Sequence, residues 1–255
     1  MPPLRNGKEG VDGSSPSEGP TRRRLTSGIF GNAATATSSF RSAVVNSGGL
    51  SIDVCPPAPC TLSSDTISDN SVSATTLPGS TGRTEGHSGA GEFGGTLSNV
   101  RLIGNSLDVS SAAGNATALG GASVFDEGTI SNSLIVNNHV RVYAPLGSVE
   151  ISGGGLDVFG PTTLRNSAVS RNTVDASGKS GSARGGGIAD IAFPFGPNGP
   201  PGGPLTLQNS SVTTNTLNAT ADPTLQGGGI YLQDEPITLA NSLIAQNIPD
   251  QCFGC

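Results

Sequence analysis

TISNSLIVNNHV, from Thr129 to Val140, returns 34 residues later as TLRNSAVSRNTV, from Thr163 to Val174. Aligning both on the Asn at the tenth position brings four further segments into register. They are TLSSDTISDNSV from Thr61, TLSNVRLIGNSL from Thr96, TLQNSSVTTNTL from Thr206 and TLANSLIAQNIP from Thr238. A near-constant period of this length marks a repeat architecture, in which each copy buries its apolar side against its neighbours.

The first position is Thr in all six copies and the second is Leu62, Leu97, Ile130, Leu164, Leu207 and Leu239. The seventh position is aliphatic throughout, and the twelfth is Val72, Leu107, Val140, Val174 and Leu217, failing only at Pro249. The tenth position is Asn70, Asn105, Asn138, Asn172, Asn215 and Asn247. Upstream of four copies lies a Gly block: GGASVF from Gly120, GGGLDV from Gly153, GGGIAD from Gly185 and GGGIYL from Gly227, with GGLSID from Gly48 as an earlier relative.

Strands alternate side chains between two faces, so aliphatic columns separated by turns point into one shared interior when the copies stack. The repeat therefore predicts an all-β chain, a single-stranded right-handed parallel β-helix of about six coils. At ~4.8 Å per coil its stack is roughly 29 Å long. The tenth-position Asn is expected to form an inward amide ladder, since stacked amides bond along the axis and Asn tolerates corner conformations. The Gly blocks are expected at bends where backbones pass too closely for a Cβ. A leucine-rich repeat, the main rival, needs more Leu per unit and a helical segment this chain does not supply.

Composition agrees. The 255 residues include 38 Gly, 18 Pro and no Trp, which disfavours helices, where interior Gly and Pro cost about 1 and 3 kcal/mol. A net charge of −6 with 13% charged residues argues against nucleic-acid binding, and no stretch approaches the roughly 20 apolar residues of a transmembrane helix. Residues 1–28 are polar and Gly/Ser/Pro-rich, with no apolar core of a secretory signal after Arg22, Arg23 and Arg24, and are expected to be a disordered leader. Residues 29–47 are a candidate N-terminal cap, 48–250 the β-helix and 251–255 an incomplete C-terminal end, as in a fragment of a longer protein. The Pro-rich stretch from Phe193 to Pro204, inside the 43-residue spacing between Thr163 and Thr206, is expected to be a surface loop.

The pairing of GGGI(Y/A) with TL.NS.(I/V)..N resembles the β-helix repeats of the pectate-lyase-like superfamily. It is most similar to bacterial surface and secreted proteins with polymorphic-outer-membrane-protein-type repeats, some carrying choice-of-anchor modules. The likeness covers residues 45–250 and implies the fold; it does not imply an activity, because that superfamily spans lyases, glycosidases, tailspikes and non-enzymes. Polygalacturonase-like members carry paired-Asp and Gly-His-Gly motifs, which neither GHSG at Gly86–Gly89 nor NTVD at Asn172–Asp175 matches.

The position after the twelfth should face outward and stacks Asp108, Arg141 and Asp175 on adjacent coils, with His139 on the same face. The plain reading is a surface ion-pair ladder worth roughly 0 to 1 kcal/mol per pair; the sharper one is a sugar-binding or catalytic patch. Asp126, Asp157, Asp190 and Asp234 follow the Gly blocks without forming one column, so no cofactor is expected and calcium is a minor alternative. Asp190 falls where neighbouring coils place Val158 and Leu232, implying a bulge or a register slip. Cys55 with Cys60 and Cys252 with Cys255 are candidate local disulfides, consistent with export. Of the sequons at Asn115, Asn209 and Asn218, that at Asn209 is expected to be buried.

These features lead to an extracellular or cell-surface β-helix, non-enzymatic and adhesin-like or structural, with polysaccharide or a surface glycan as the expected partner. The alternative is a polysaccharide lyase or glycosidase acting on acidic polysaccharide through Asp108, Arg141, Asp175 and His139.

Overall fold

The structure, a computed structural model, describes residues 28–39, 42–52, 60–191, 203–233 and 235–255. Residues 1–27 of the expected leader, Cys55, Asp234 and the bulk of the Pro-rich stretch lie outside these. The described residues form strands and turns without a helix, wound as a parallel β-solenoid of about six turns.

Three parallel sheets make its walls. The first stacks seven short strands in chain order: Ile29–Phe30, Thr66–Ser68, Arg101–Ile103, Leu134–Val136, Ala168–Ser170, Ser211–Thr213 and Leu243–Ala245. The second contains Ser71–Thr76, Ser106–Ser111, His139–Ser152, Thr173–Arg184 and Thr216–Ala221, and the third contains the Thr-Leu segments that open each repeat. Hydrogen bonds run between copies in the register read from sequence. Ile130 pairs with Leu97 and Leu164, Leu164 with Leu207, and Leu207 with Leu239.

The second- and seventh-position files form one apolar core, and the twelfth-position file from Val72 to Leu217 anchors another inside the second sheet. Ile130, Leu164, Leu207, Ile135, Val169 and Val174 are fully buried. Burying one such side chain is worth about 1.5–3 kcal/mol, so the interior supplies most of the cohesion. The file reaches the solvent at Leu239, 50% exposed on the last coil.

The tenth-position Asn residues form a continuous buried relay. In each coil the backbone N–H and Nδ2 donate to Oδ1 of the next: Asn70 to Asn105, Asn105 to Asn138, Asn138 to Asn172, Asn172 to Asn215 and Asn215 to Asn247, at 2.9–3.2 Å. Nδ2 also donates inward to the carbonyl of a seventh-position residue, as Asn172 does to Ile135 at 3.1 Å. Each amide is thereby satisfied in an interior where an orphan would cost about 1–3 kcal/mol. Asn32 extends the relay upstream by donating to Asn70 Oδ1, and Gln251 Oε1 accepts the last pair of bonds from Asn247. The cap candidate 29–47 thus supplies strands in the common register, with Ala33 opposite Ser71 and Ala43 opposite Thr84. At the other end Cys252–Phe253 pairs with Ile230–Tyr231, and Cys252 is disulfide-bonded to Cys255. Cys60 is disulfide-bonded as well.

The Gly blocks form the corner between the second and third sheets. Gly120, Gly153, Gly185 and Gly227 have φ of 63–69°, in the left-handed region that glycine enters without penalty. One residue on, a Cβ at Gly121 would collide with the carbonyl of Gly154, at Gly154 with that of Gly186, and at Gly186 with that of Gly228.

Two readings need correction. The fourth-position residues, Asn99, Asn132, Asn166, Asn209 and Asn241, adopt φ of 49–57° and face solvent, so the Asn209 sequon is exposed. The corner's inward residue is the next one, and Ser133, Ser167, Ser210 and Ser242 make a second ladder in which each Oγ accepts the backbone N–H of the preceding coil at 3.0–3.1 Å. Asp190 reflects neither bulge nor slip: it pairs in register between Val158 and Leu232 and is fully buried.

Candidate functional site

The second sheet presents two outward ranks of side chains. One holds Asp108, Arg141, Asp175 and Asn218, directly opposite one another on successive coils. The other, two residues on, holds Thr75, Ser110, Tyr143, Ser177 and Thr220 in the same register. Between them runs a groove of about 450 Å³, floored by the backbone at Val109, Val142 and Ala176. Strand geometry makes it roughly 7 Å wide, two residues across, and roughly 19 Å long over four coil steps. All three charged residues singled out in the sequence line this groove, and His139 stands beside it.

The polar contacts differ from an ion-pair ladder. Asp175 Oδ2 lies 2.7 Å from His139 Nε2 on the preceding coil, and Asp175 Oδ1 accepts from Asn218 Nδ2 at 2.9 Å on the following one. Partial burial works against the Asp175 carboxylate, but these hydrogen bonds and the charges of His139 and Arg141 hold its pKa below the usual value. Arg141 and Asp108 are exposed, and neither side chain has a hydrogen-bond or ion-pair partner among the described residues. Tyr143, 47% exposed, sets an aromatic ring next to Arg141 along the strand. The groove therefore offers a cation and an anion that make no hydrogen bond or close ion pair among the described residues, an aromatic face and a bank of hydroxyls. Sequence reasoning named the charged rank but missed Tyr143, Ser177 and the hydroxyls, whose only signal was their offset of two from it.

A second polar cluster lies outside the Gly corner and was not foreseen. His87 Nε2 is 2.9 Å from Glu85 Oε1 and its Nδ1 is 3.4 Å from Glu92 Oε1, with Arg83 Nε 3.5 Å from Glu85 Oε2. Burial disfavours the charged imidazole, yet hydrogen bonds to Glu85 and Glu92 overcome it and raise its pKa to about 9. The same bond to His87 leads the lowering at Glu85. Two coils further, burial pushes Asp157 up to about 8, although Ser152 Oγ donates to its Oδ1 at 2.6 Å. Burial, helped by the charge of Glu235, pushes Asp190 up to about 7. The residues flanking this corner are five apart in sequence and meet only because the Gly turn folds them together, which no spacing rule signalled. An apolar cluster that includes Leu119, Val124, Phe159 and Tyr231 seals the corner, so these groups have the character of internal structure.

Among the described residues no group of three or more His, Cys, Asp or Glu side chains could hold a metal ion, and no helix is long and apolar enough to cross a membrane. The chain matches no protein-family model, no curated protein and no solved structure.

Proposed function

We propose that this chain is a non-enzymatic, glycan-contacting β-solenoid of the cell exterior, akin to the pectate-lyase-like superfamily, with its ligand site in the groove between the two outward ranks. The observation that carries this reading is the groove itself: a straight channel crossing successive coils, with Tyr143 and a line of Thr and Ser hydroxyls opposite the Asp108, Arg141, Asp175 and Asn218 rank. A linear polymer lying along the axis would meet one side chain from each rank at successive coils. Sugar rings suit an exposed tyrosine face, and their hydroxyls suit mixed donors and acceptors. The Cys252–Cys255 disulfide supports an oxidising compartment and hence an exported protein.

One observation favours the enzymatic alternative. Asp108 and Asp175 stand on one rank with their backbones two coil steps, about 9.6 Å, apart, a spacing from which two flexible carboxylates could flank a glycosidic bond and a water. Against it, the Asp175 carboxylate is occupied by His139 and Asn218. Affinity electrophoresis against neutral, acidic and amino polysaccharides tests the reading: retardation by at least one, reduced in Tyr143→Ala, supports it, and migration unaffected by all of them would overturn it. Release of reducing ends or unsaturated product, abolished in Asp108→Asn, would establish the enzyme instead.

A further inference from the structure

The charges in the groove carry more than a general affinity for sugars. Successive coils present Asp108, Arg141 and Asp175, an anion, a cation and an anion, at a spacing of ~4.8 Å. Asp175 is already bound by His139 and Asn218. Asp108 and Arg141 are opposite charges in direct register, both exposed, and no ion pair forms between them. Each keeps unused hydrogen-bonding capacity facing the channel: up to five N–H donors on Arg141 and the carboxylate lone pairs on Asp108.

Taking the groove as the glycan site just proposed, we infer that it selects a zwitterionic glycan, one placing a free amine and a carboxylate or sulfate about one coil apart. The amine faces Asp108 and the anionic group faces Arg141, while the ring between them lies against Tyr143. A uniformly acidic chain would satisfy Arg141 but run its next charges past Asp108 and Asp175. A uniformly basic chain would satisfy the carboxylates and meet Arg141. Like-charge juxtaposition of this kind is how a binding surface rejects the wrong partner. A neutral chain escapes the repulsion but brings no charged group to Asp108 or Arg141, so it gains only the ring and hydroxyl contacts.

The experiment compares four oligosaccharides of matched length by titration calorimetry on the intact chain. They are N-deacetylated heparosan, which alternates amine and carboxylate; ordinary N-acetylated heparosan, with carboxylate alone; chitosan, with amine alone; and cello-oligosaccharide, with neither. The alternating chain is expected to bind at least about tenfold more tightly than the other three, the effect of one well-placed charge-assisted contact. Arg141→Ala should cost that chain about tenfold while leaving chitosan binding unweakened, and Asp108→Asn should do the converse for N-acetylated heparosan. Both positions are exposed on the outer face, so the variants keep the solenoid. Equal or tighter binding of a singly charged or neutral chain would overturn the zwitterion assignment while leaving a glycan groove in place. Absence of binding by all four would overturn both.

Discussion

His139 and Asp175 join two neighbouring coils through a 2.7 Å contact between Nε2 and Oδ2, and so brace one wall of the groove. Their side chains are 38% and 40% exposed, so solvent weakens the attraction and the stability effect is small. His139→Ala should lower stability by no more than about 1 kcal/mol, while the Asp175 pKa moves up toward the ordinary carboxylate value. Chemical denaturation and NMR titration of the Asp175 side chain measure the two quantities separately.

Asn172 sits mid-relay and accepts two hydrogen bonds from Asn138 while donating two from its own side chain. Asn172→Ala should cost about 3–5 kcal/mol, because it strands two buried donors of Asn138 and leaves a cavity. Asn132, at an exposed left-handed corner with φ of 50°, offers the contrast. Asn132→Gly should change stability by less than about 0.5 kcal/mol, since glycine accepts that conformation freely. Parallel urea denaturation of both variants checks the difference.

Stability should fall as pH rises from mildly acidic to alkaline. Folded Asp157 stays protonated up to about 8, whereas unfolded it ionises near 3.8, so its stabilising contribution is complete below about 4 and is lost progressively toward 8. Asp190, raised to about 7, acts in the same direction. His87, raised to about 9, adds a further loss as pH climbs from 6.5 through 9. Asp157→Asn, which can still accept from Ser152, should flatten the slope between pH 4 and 8. A thermal melting series across that range reads the effect, and an unchanged slope would refute the assignment.

Removing the Cys252–Cys255 disulfide by Cys255→Ser, which leaves the disulfide at Cys60 intact, should loosen the last coil. A four-residue loop corresponds to about 2 kcal/mol of chain entropy. Hydrogen exchange should therefore quicken at Gly229 and Ile230, whose N–H groups donate to the Asp250 and Gln251 carbonyls. The amides of Ser133 and Ser167, several coils away, should keep their protection.

Much of this architecture was legible because the repeat writes one column per buried file. Leu62 to Leu207, Ile67 to Val212 and Val72 to Leu217 lie where the alignment put them, and the tenth-position Asn forms the inward ladder. The fourth-position Asn misled because two properties of one residue type diverge there. Its tolerance of left-handed φ places it on the corner's outer side, and the inward hydrogen bonds fall to the adjacent Ser. The ninth-position turn was invisible, since Asp69, Gly104, Asn137, Arg171, Thr214 and Gln246 share a positive φ but no chemistry. There the buried Asn that follows fixes the bend, and the turn residue merely complies. The groove's charged rank was visible as a column, but its aromatic and hydroxyl wall needed the strands laid side by side.

At Gly121, Gly154, Gly186 and Gly228 each finished corner lies against the carbonyl of the next with no room for a side chain. Such a bend acts as a mould, since a coil that has closed leaves its successor one path to follow. The outline of one winding is therefore repeated in its neighbours along the rod. A methyl group at one of these four positions would not stay a fault of its own turn: it would push on the backbone of the adjoining winding as well.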